Sequence, residues 1–245
     1  MPLLGKPRNL GDRFTRKMAK KTMTMSMADT TETARFNMIE QQIRPAEVLD
    51  TRVLDTIAAT PREEFVPANY RELAFSDTNI HLAHGQQMMK PIMEARLLQA
   101  LDIQPTDNIL EIGTGSGYFT ALLAKLGGQV QSVDIENDFI SAAQQKLSAQ
   151  GLDNVTFSQG DAARGWEQGG PFDVIAITGS LPILPESFQQ QLKIGGRMVV
   201  IVGQSPVMQT LLVTRVADDQ WSTECLFETD FPALDNAEQP SAFIF

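Results

Sequence analysis

The chain has 245 residues, of which 42% are hydrophobic, and a formal net charge of −10. That length fits one large domain or one domain with a cap, and no apolar run approaches the roughly 18 residues a membrane-spanning helix needs. One cysteine (Cys225) excludes an internal disulfide, which points to a reducing cytoplasm, and one cysteine with two histidines argues against a metal site.

Charge is uneven along the chain. Residues 1–28 hold seven basic residues against the single Asp12, so the acidic excess belongs to the rest. An acidic body disfavours binding to a nucleic-acid backbone, which needs clustered lysine and arginine. The basic segment has neither helical periodicity nor the apolar stretch of a signal peptide. Met23, Met25 and Met27 stand just before organised sequence begins, so 1–28 reads as a disordered leader or as lying ahead of the true start.

The next stretch, 29–104, reads as a helical cap. A helix is expected over Thr31–Ile43, with Phe36, Ile39 and Ile43 on one side, ended by Pro45. Val48, Leu49, Val53, Leu54 and Ile57 mark a second amphipathic helix. A turn-rich bridge, Pro61 to Pro67, leads to a short helix near Tyr70–Phe75. Asp77–Lys90 is a loop or short hairpin. Pro91 then opens a helix through Met93, Leu97, Leu98 and Leu101.

From 105 onward, strands and helices alternate, as in an α/β fold. The central stretch is Asn108 to Tyr118. Ile109, Leu110 and Ile112 form a strand, Gly113, Gly115 and Gly117 a turn, and Phe119, Leu122, Leu123 and Leu126 the face of a helix over Tyr118–Leu126. Strand, glycine turn and helix make a nucleotide-cofactor layout. A dinucleotide fingerprint wants Gly-x-Gly-x-x-Gly; here its third glycine position falls on Tyr118. Glu111 sits inside the strand end just before the turn, and an acid facing the cofactor suits the sulfonium and ammonium of S-adenosylmethionine and repels a pyrophosphate.

Two more strands follow. Val130–Val133 ends on Asp134, followed by Ile135, about twenty residues past the first glycine, where a carboxylate can take both ribose hydroxyls. Helix Glu136–Gln150 stops at Gly151. Val155–Ser158 leads to Gly160-Asp161-Ala162, where Asp161 can accept from an adenine amino group. Glu111, Asp134 and Asp161 thus stand at the carboxyl ends of consecutive strands, the edge where open α/β sheets bind ligands. With Gly113, Thr114, Gly115, Gly117, Ile135 and Ala162 they form the expected cofactor site. Strand Phe172–Thr178 precedes a loop at the same edge, Gly179-Ser180-Leu181-Pro182. Met198–Val202, Gln209–Val216 and Trp221–Glu228 complete the strands. Cys225, on the last of them, is expected as a small buried hydrophobe.

These pieces together resemble the protein-L-isoaspartate O-methyltransferases, over roughly residues 34–235. The resemblance rests on Pro61-Arg62-Glu63-Glu64-Phe65-Val66-Pro67, Ala74-Phe75-Ser76-Asp77, His84-Gly85-Gln86, Leu110 to Tyr118, Gly160-Asp161, Pro171-Phe172-Asp173 and Gly195-Gly196-Arg197. It implies a class I S-adenosylmethionine-dependent methyltransferase: a Rossmann-like, doubly wound, mostly parallel seven-stranded sheet over 105–245, with an N-terminal helical cap over 29–104. It also implies S-adenosyl-L-methionine as donor and a protein or peptide carrying isoaspartate, or a small carboxylate, as acceptor. After Gly-Gln the family pattern reads Thr-Ile-Ser-x-Pro, and its serine is the residue assigned to the active site. Here those positions hold Gln87, Met88, Met89, Lys90 and Pro91, so Met89 stands in the serine's place.

A carboxylate acceptor has a reference pKa near ~4 and is ionised at neutral pH, so transfer needs no general base, only alignment and exclusion of water. The 84–91 loop is expected to close over the donor, with Gln86, Met89 and Lys90 at the reacting end, and His81 and His84 in structural roles. Two alternatives stay open at this level: a different acceptor in the same fold, or a non-catalytic S-adenosylmethionine-binding module.

Overall fold

The computed structural model describes residues 27–240, with the side chains of 27–29 excepted. The basic leader expected at 1–28 therefore lies outside the described residues, apart from the backbone of its last two. No helix among the described residues is long and apolar enough to cross a membrane.

The cap opens with α1, Met27–Met38, which runs on through a π turn at Ile39–Ile43 and a 3-10 turn at Arg44–Ala46. Ile39 and Ile43 are buried as expected, but Phe36 is 62% exposed. The buried face of α1 is set by Arg35, Met38 and Ile39, and Phe36, about 100° round the helix from Arg35, falls outside it. Helix α2, Thr51–Ala58, is capped by Asp50, whose side chain accepts from the Arg52 N–H, and buries Val53, Leu54 and Ile57. A 3-10 segment at Ala68–Leu73 stands where a short helix is expected. The loop that follows is the hairpin alternative: β1, Ile80–His81, pairs antiparallel with β2, Gln87–Met88. Pro91 opens α3, Pro91–Leu101.

The α/β region contributes seven strands and the helices between them. β3 is Asn108–Ile112, α4 Tyr118–Leu126, β4 Gln129–Asp134, α5 Asn137–Ala149 and β5 Val155–Gln159. Then come β6, Phe172–Leu181, the short α6, Glu186–Gln190, and β7, Leu192–Gln204. β8, Val207–Ala217, and β9, Gln220–Thr229, close the sheet. The strand order is β5-β4-β3-β6-β7-β8-β9, parallel from β5 through β7 and antiparallel beyond.

The loop expected at Gly179–Pro182 is mostly strand. Ser180 and Leu181 pair with Ile201 and Val202 beyond an irregularity in β6, and Ser180 also bridges to Ala233. Cys225 is exposed, on β9, the last strand of the sheet, which carries no buried position.

Alternation along β3 decides what each side chain can reach. Ile109 joins the apolar cluster that holds the cap residues Ile43, Leu54 and Leu97 and the α4 residues Leu122 and Leu123. Leu110 and Ile112 join the cluster on the opposite face, with Val133, Ile175 and Phe188. The cap thus shares one continuous core with a face of the sheet. Winding reverses between β3 and β6, so the crevice that such sheets use for ligands opens beyond the carboxyl ends of those two strands.

Candidate active site

A cavity opens at that switch point. Its wall includes Gly113 and Gly115 from the glycine turn, Asp134, Ile135 and Glu136 after β4, Asp161 and Ala162 after β5, and Thr178 and Gly179 of β6. Leu82, Gln86 and Gln87 from the β1–β2 hairpin cover one side, and Phe231, Leu234 and Asp235 from the C-terminal segment cover another. Among the described residues its charged side chains are Asp134, Glu136, Asp161 and Asp235, with no lysine or arginine. The cavity therefore favours a cation.

The glycine turn is shaped by backbone geometry. Gly113, Gly115 and Gly117 all have positive φ. At Gly113 a Cβ would come within 2.4 Å of the Thr178 Oγ1, and at Gly117 within 2.7 Å of the Ala143 Cβ. Both positions demand glycine for conformation and for space. The turn is then tied to β4, because the Gly115 N–H donates to Asp134 Oδ2 at 2.9 Å. Asp134 Oδ1 accepts from the Glu136 N–H, also at 2.9 Å. Burial raises the Asp134 pKa, and these backbone donors partly offset it. Each carboxylate oxygen keeps a further lone pair for a ligand hydroxyl.

Asp161 is engaged on both oxygens. Oδ1 accepts from the Ala163 N–H, and Oδ2 from the Asn236 amide at 3.0 Å. The C-terminal segment is thereby clasped to the β5 corner. It is clasped again at the hairpin, where Gln86 Nε2 donates to Asp235 Oδ2 at 3.2 Å.

Glu111 is placed differently from expectation. It is fully buried, and Oε2 accepts from Thr120 Oγ1 and Ser132 Oγ, each at 2.6 Å. Strand parity explains this, since Glu111 follows Ile109 onto the α4 face of the sheet. Burial pushes its pKa up to about 8. Glu111 props the turn from behind and does not line the cavity; the negative rim comes from the other carboxylates. Thr114 and Gly117 also lie off this cavity. Thr114 Oγ1 bonds Ser132 Oγ at 2.6 Å, and Gly117 is the N-cap of α4.

A smaller cavity adjoins the first, between the hairpin and the glycine turn. Gln87, Met88, Met89, Glu94, Thr114, Ser116 and Phe119 line it. Met89 is buried, and its carbonyl accepts from Arg62 Nη2 at 2.6 Å. Arg62 also donates Nε to the Ala74 carbonyl and pairs with buried Glu94. Its guanidinium lies 4.7 Å from the centre of the Tyr118 ring. One arginine thus joins the cap, the hairpin and the first residue of α4. Lys90 lines neither cavity. As N-cap of α3, its ammonium turns 3.7 Å from Asp77 Oδ2.

The structure thus brings together Gln86, Gly113, Gly115, Asp134, Ile135, Asp161 and Ala162 around the larger cavity. Met89 and Thr114 fall at the smaller one. Sequence reasoning missed Gln87, which lines both, and the C-terminal residues Phe231, Leu234, Asp235 and Asn236. Gln87 could have been found from its place in the loop; nothing local marks the C-terminal residues.

Residues 33–239 match the profile of the protein-L-isoaspartate(D-aspartate) O-methyltransferase family. Protein-L-isoaspartate O-methyltransferase 1 of Rhodopseudomonas palustris is 38% identical over 201 residues, covering 82% of each chain. The Brucella anthropi protein-L-isoaspartate O-methyltransferase is 35% identical over 211 residues, covering 85% of this chain and 97% of that one. Among solved structures, a protein-L-isoaspartate O-methyltransferase has a TM-score of 0.70 at 24% identity, covering 82% of this chain and 66% of its own. A Plasmodium falciparum structure in complex with S-adenosyl-L-homocysteine also has a TM-score of 0.70, at 20% identity, covering 82% of this chain and 98% of its own. At such identities these two structures establish the shared fold.

Proposed function

The chain belongs to the protein-L-isoaspartate(D-aspartate) O-methyltransferase family, and from that premise we propose that it transfers a methyl group to the side-chain carboxylate of isoaspartate in damaged protein. It is an S-adenosylmethionine-dependent methyltransferase. The observation that carries this reading is the larger cavity, on whose wall the described residues place four carboxylates and no lysine or arginine. That donor set fits a molecule bearing a sulfonium and an ammonium, and it opposes a pyrophosphate.

Bound there, S-adenosylmethionine supplies an electrophilic methyl group. The chain's own residues hold and align. Asp134 takes the ribose hydroxyls beside Gly115. Asp161, with Ala162, receives the adenine amino group and shares an oxygen with Asn236. On this reading the donor-binding core spans 105–240 of the described residues, and 29–104 is the cap that carries the acceptor loop. An ionised acceptor needs no base, which agrees with a site built from carboxylates, amides and methionines. The Met88–Met89 segment and Phe119 keep water from the reacting end. Gln86 and Met89 belong to this loop; Lys90 serves it as the N-cap of α3.

The test is methyl transfer from tritiated S-adenosylmethionine to matched isoaspartyl and aspartyl peptides. Base-labile label in the isoaspartyl peptide alone is expected. Label appearing instead in a small-molecule extract would move the assignment to a small carboxylate.

A further inference from the structure

Two cavities meet at one wall, and the side chains there differ in what they have left to offer. Leu82, Gln87, Gly113, Gly115 and Thr178 line both. Of these, Gln87 and Thr178 carry polar side chains. Thr178 has a single hydroxyl proton, and it is directed at the Gly113 carbonyl at 2.6 Å, with the Ile112 carbonyl at 3.0 Å. No donor remains on it. The half-buried Gln87 amide makes no side-chain hydrogen bond among the described residues, so both of its N–H groups are available.

The nearby cations are committed elsewhere. Arg62 is held by the Ala74 carbonyl, the Met89 carbonyl and Glu94, and Lys90 turns to Asp77. Acidic groups dominate the larger cavity, so an anionic ligand group has few places to settle. The Gln87 backbone is fixed by pairing with His81 across the β1–β2 hairpin and by the Leu82 N–H donating to the Gln86 carbonyl at 2.8 Å. The amide is therefore presented at the junction from a pinned backbone, and only its side-chain torsions are left for a ligand to order.

We propose that the Gln87 side-chain amide is a carboxylate-holding contact at the junction of the two cavities. The inference rests on the methyltransferase reading above. Two carboxylates could use it, the acceptor's own and that of the donor's amino-acid end, and both ask for the same N–H donor. If the acceptor is held, Gln87 aligns the attacking oxygen. If the donor is held, Gln87 fixes the end of the molecule that carries the methyl.

The experiment compares wild type with Gln87→Leu, which keeps bulk and removes the donor, and Gln87→Glu, which adds like charge. Thermal melting first establishes that the variants fold. KM and kcat for an isoaspartyl peptide are then measured at saturating S-adenosylmethionine, beside calorimetric Kd for S-adenosylhomocysteine. A hydrogen bond to a charged group predicts a loss of about tenfold or more in Gln87→Leu, and a larger loss in Gln87→Glu. A rise in peptide KM with Kd unchanged assigns the contact to the acceptor; a rise in Kd assigns it to the donor. Unchanged KM, kcat and Kd in both folded variants would overturn the inference and leave the methyltransferase reading standing. A wild-type protein that neither binds S-adenosylhomocysteine nor methylates the peptide would overturn that reading, and the inference with it.

Discussion

His84 Nε2 lies 2.9 Å from Asp138 Oδ2, so the loop covering the acid-lined cavity is pinned to the first turn of α5. The other ring nitrogen, Nδ1, lies 3.7 Å from Glu136 Oε1, and the ring meets Phe139 edge-on at 5.4 Å. His84 adopts φ 55, a left-handed conformation that its docking helps to hold. Glu136 and Phe139 both belong to the cavity wall.

This contact titrates. The hydrogen bond with Asp138 raises the His84 pKa above 6.5, helped by the charges of Asp138, Glu136 and Asp134. The same bond lowers the Asp138 pKa below 3.8. A raised histidine pKa gives stabilisation that is fully present below the unfolded value and lost as pH rises through the folded one. A lowered aspartate pKa gives stabilisation present above its unfolded value and lost as pH falls through the folded one. The pin is therefore strongest between those limits, from mildly acidic to near-neutral pH. NMR titration of His84 is expected to give a midpoint above 6.5 that drops in Asp138→Asn. An unshifted midpoint in wild type would remove the pin.

Arg62 and Glu94 form a pair with side chains 1% and 3% exposed. Burial pushes Glu94 up to about 8, against the pull of the guanidinium. Arg62→Ala leaves that acid without its partner, and also strips the Ala74 and Met89 carbonyls of a donor. Breaking such a pair costs about 3–5 kcal/mol, whereas replacing both partners with apolar residues costs far less. Urea unfolding should therefore show Arg62→Ala strongly destabilised and Arg62→Met/Glu94→Leu closer to wild type. Equal losses in the two would contradict this.

Asp134 holds the glycine turn through the Gly115 N–H and faces the larger cavity. Asp134→Ala removes the carboxylate proposed to hold the ribose and frees the Gly115 N–H that ties the turn to β4. S-adenosylhomocysteine affinity is expected to fall about tenfold or more, as for loss of hydrogen bonds to a charged group. Calorimetry measures it directly, and unchanged affinity would displace the ribose from this residue.

Gly113→Ala tests the turn itself. With φ +96 and only 2.4 Å to Thr178 Oγ1, a methyl group is both strained and obstructed. A cost of about 1–3 kcal/mol is expected from the backbone conformation alone. Thermal melting should show it, and Thr178→Ala should relieve only the steric part.

Much of this was legible in the chain. Strands β3 to β5 and helix α4 announce themselves by periodicity, and Gly113 to Gly117 by a turn that only glycine can make. Glu111 was harder. Its place at a strand end suggests a ligand contact, but pleat parity with Ile109 sends it inward to Thr120 and Ser132. Phe36 falls just off the face that Arg35, Met38 and Ile39 bury, and Cys225 lies on β9, a strand with no buried position. The C-terminal clasp could not be read locally. It is set by Ser180 pairing with Ala233 and by Asn236 reaching Asp161, contacts between segments far apart in the chain. Gln87 lies in a loop without periodicity; its neighbours Gln86 and Met89 mark the loop, and the meeting of two cavities singles out Gln87 within it.

Titration calorimetry with S-adenosylmethionine and, separately, with a nicotinamide dinucleotide tests most directly what the acid-lined cavity is for. Saturable one-to-one heat with the sulfonium compound and none with the pyrophosphate is the expected result. Heat with the dinucleotide and none with S-adenosylmethionine would contradict the assignment of the site.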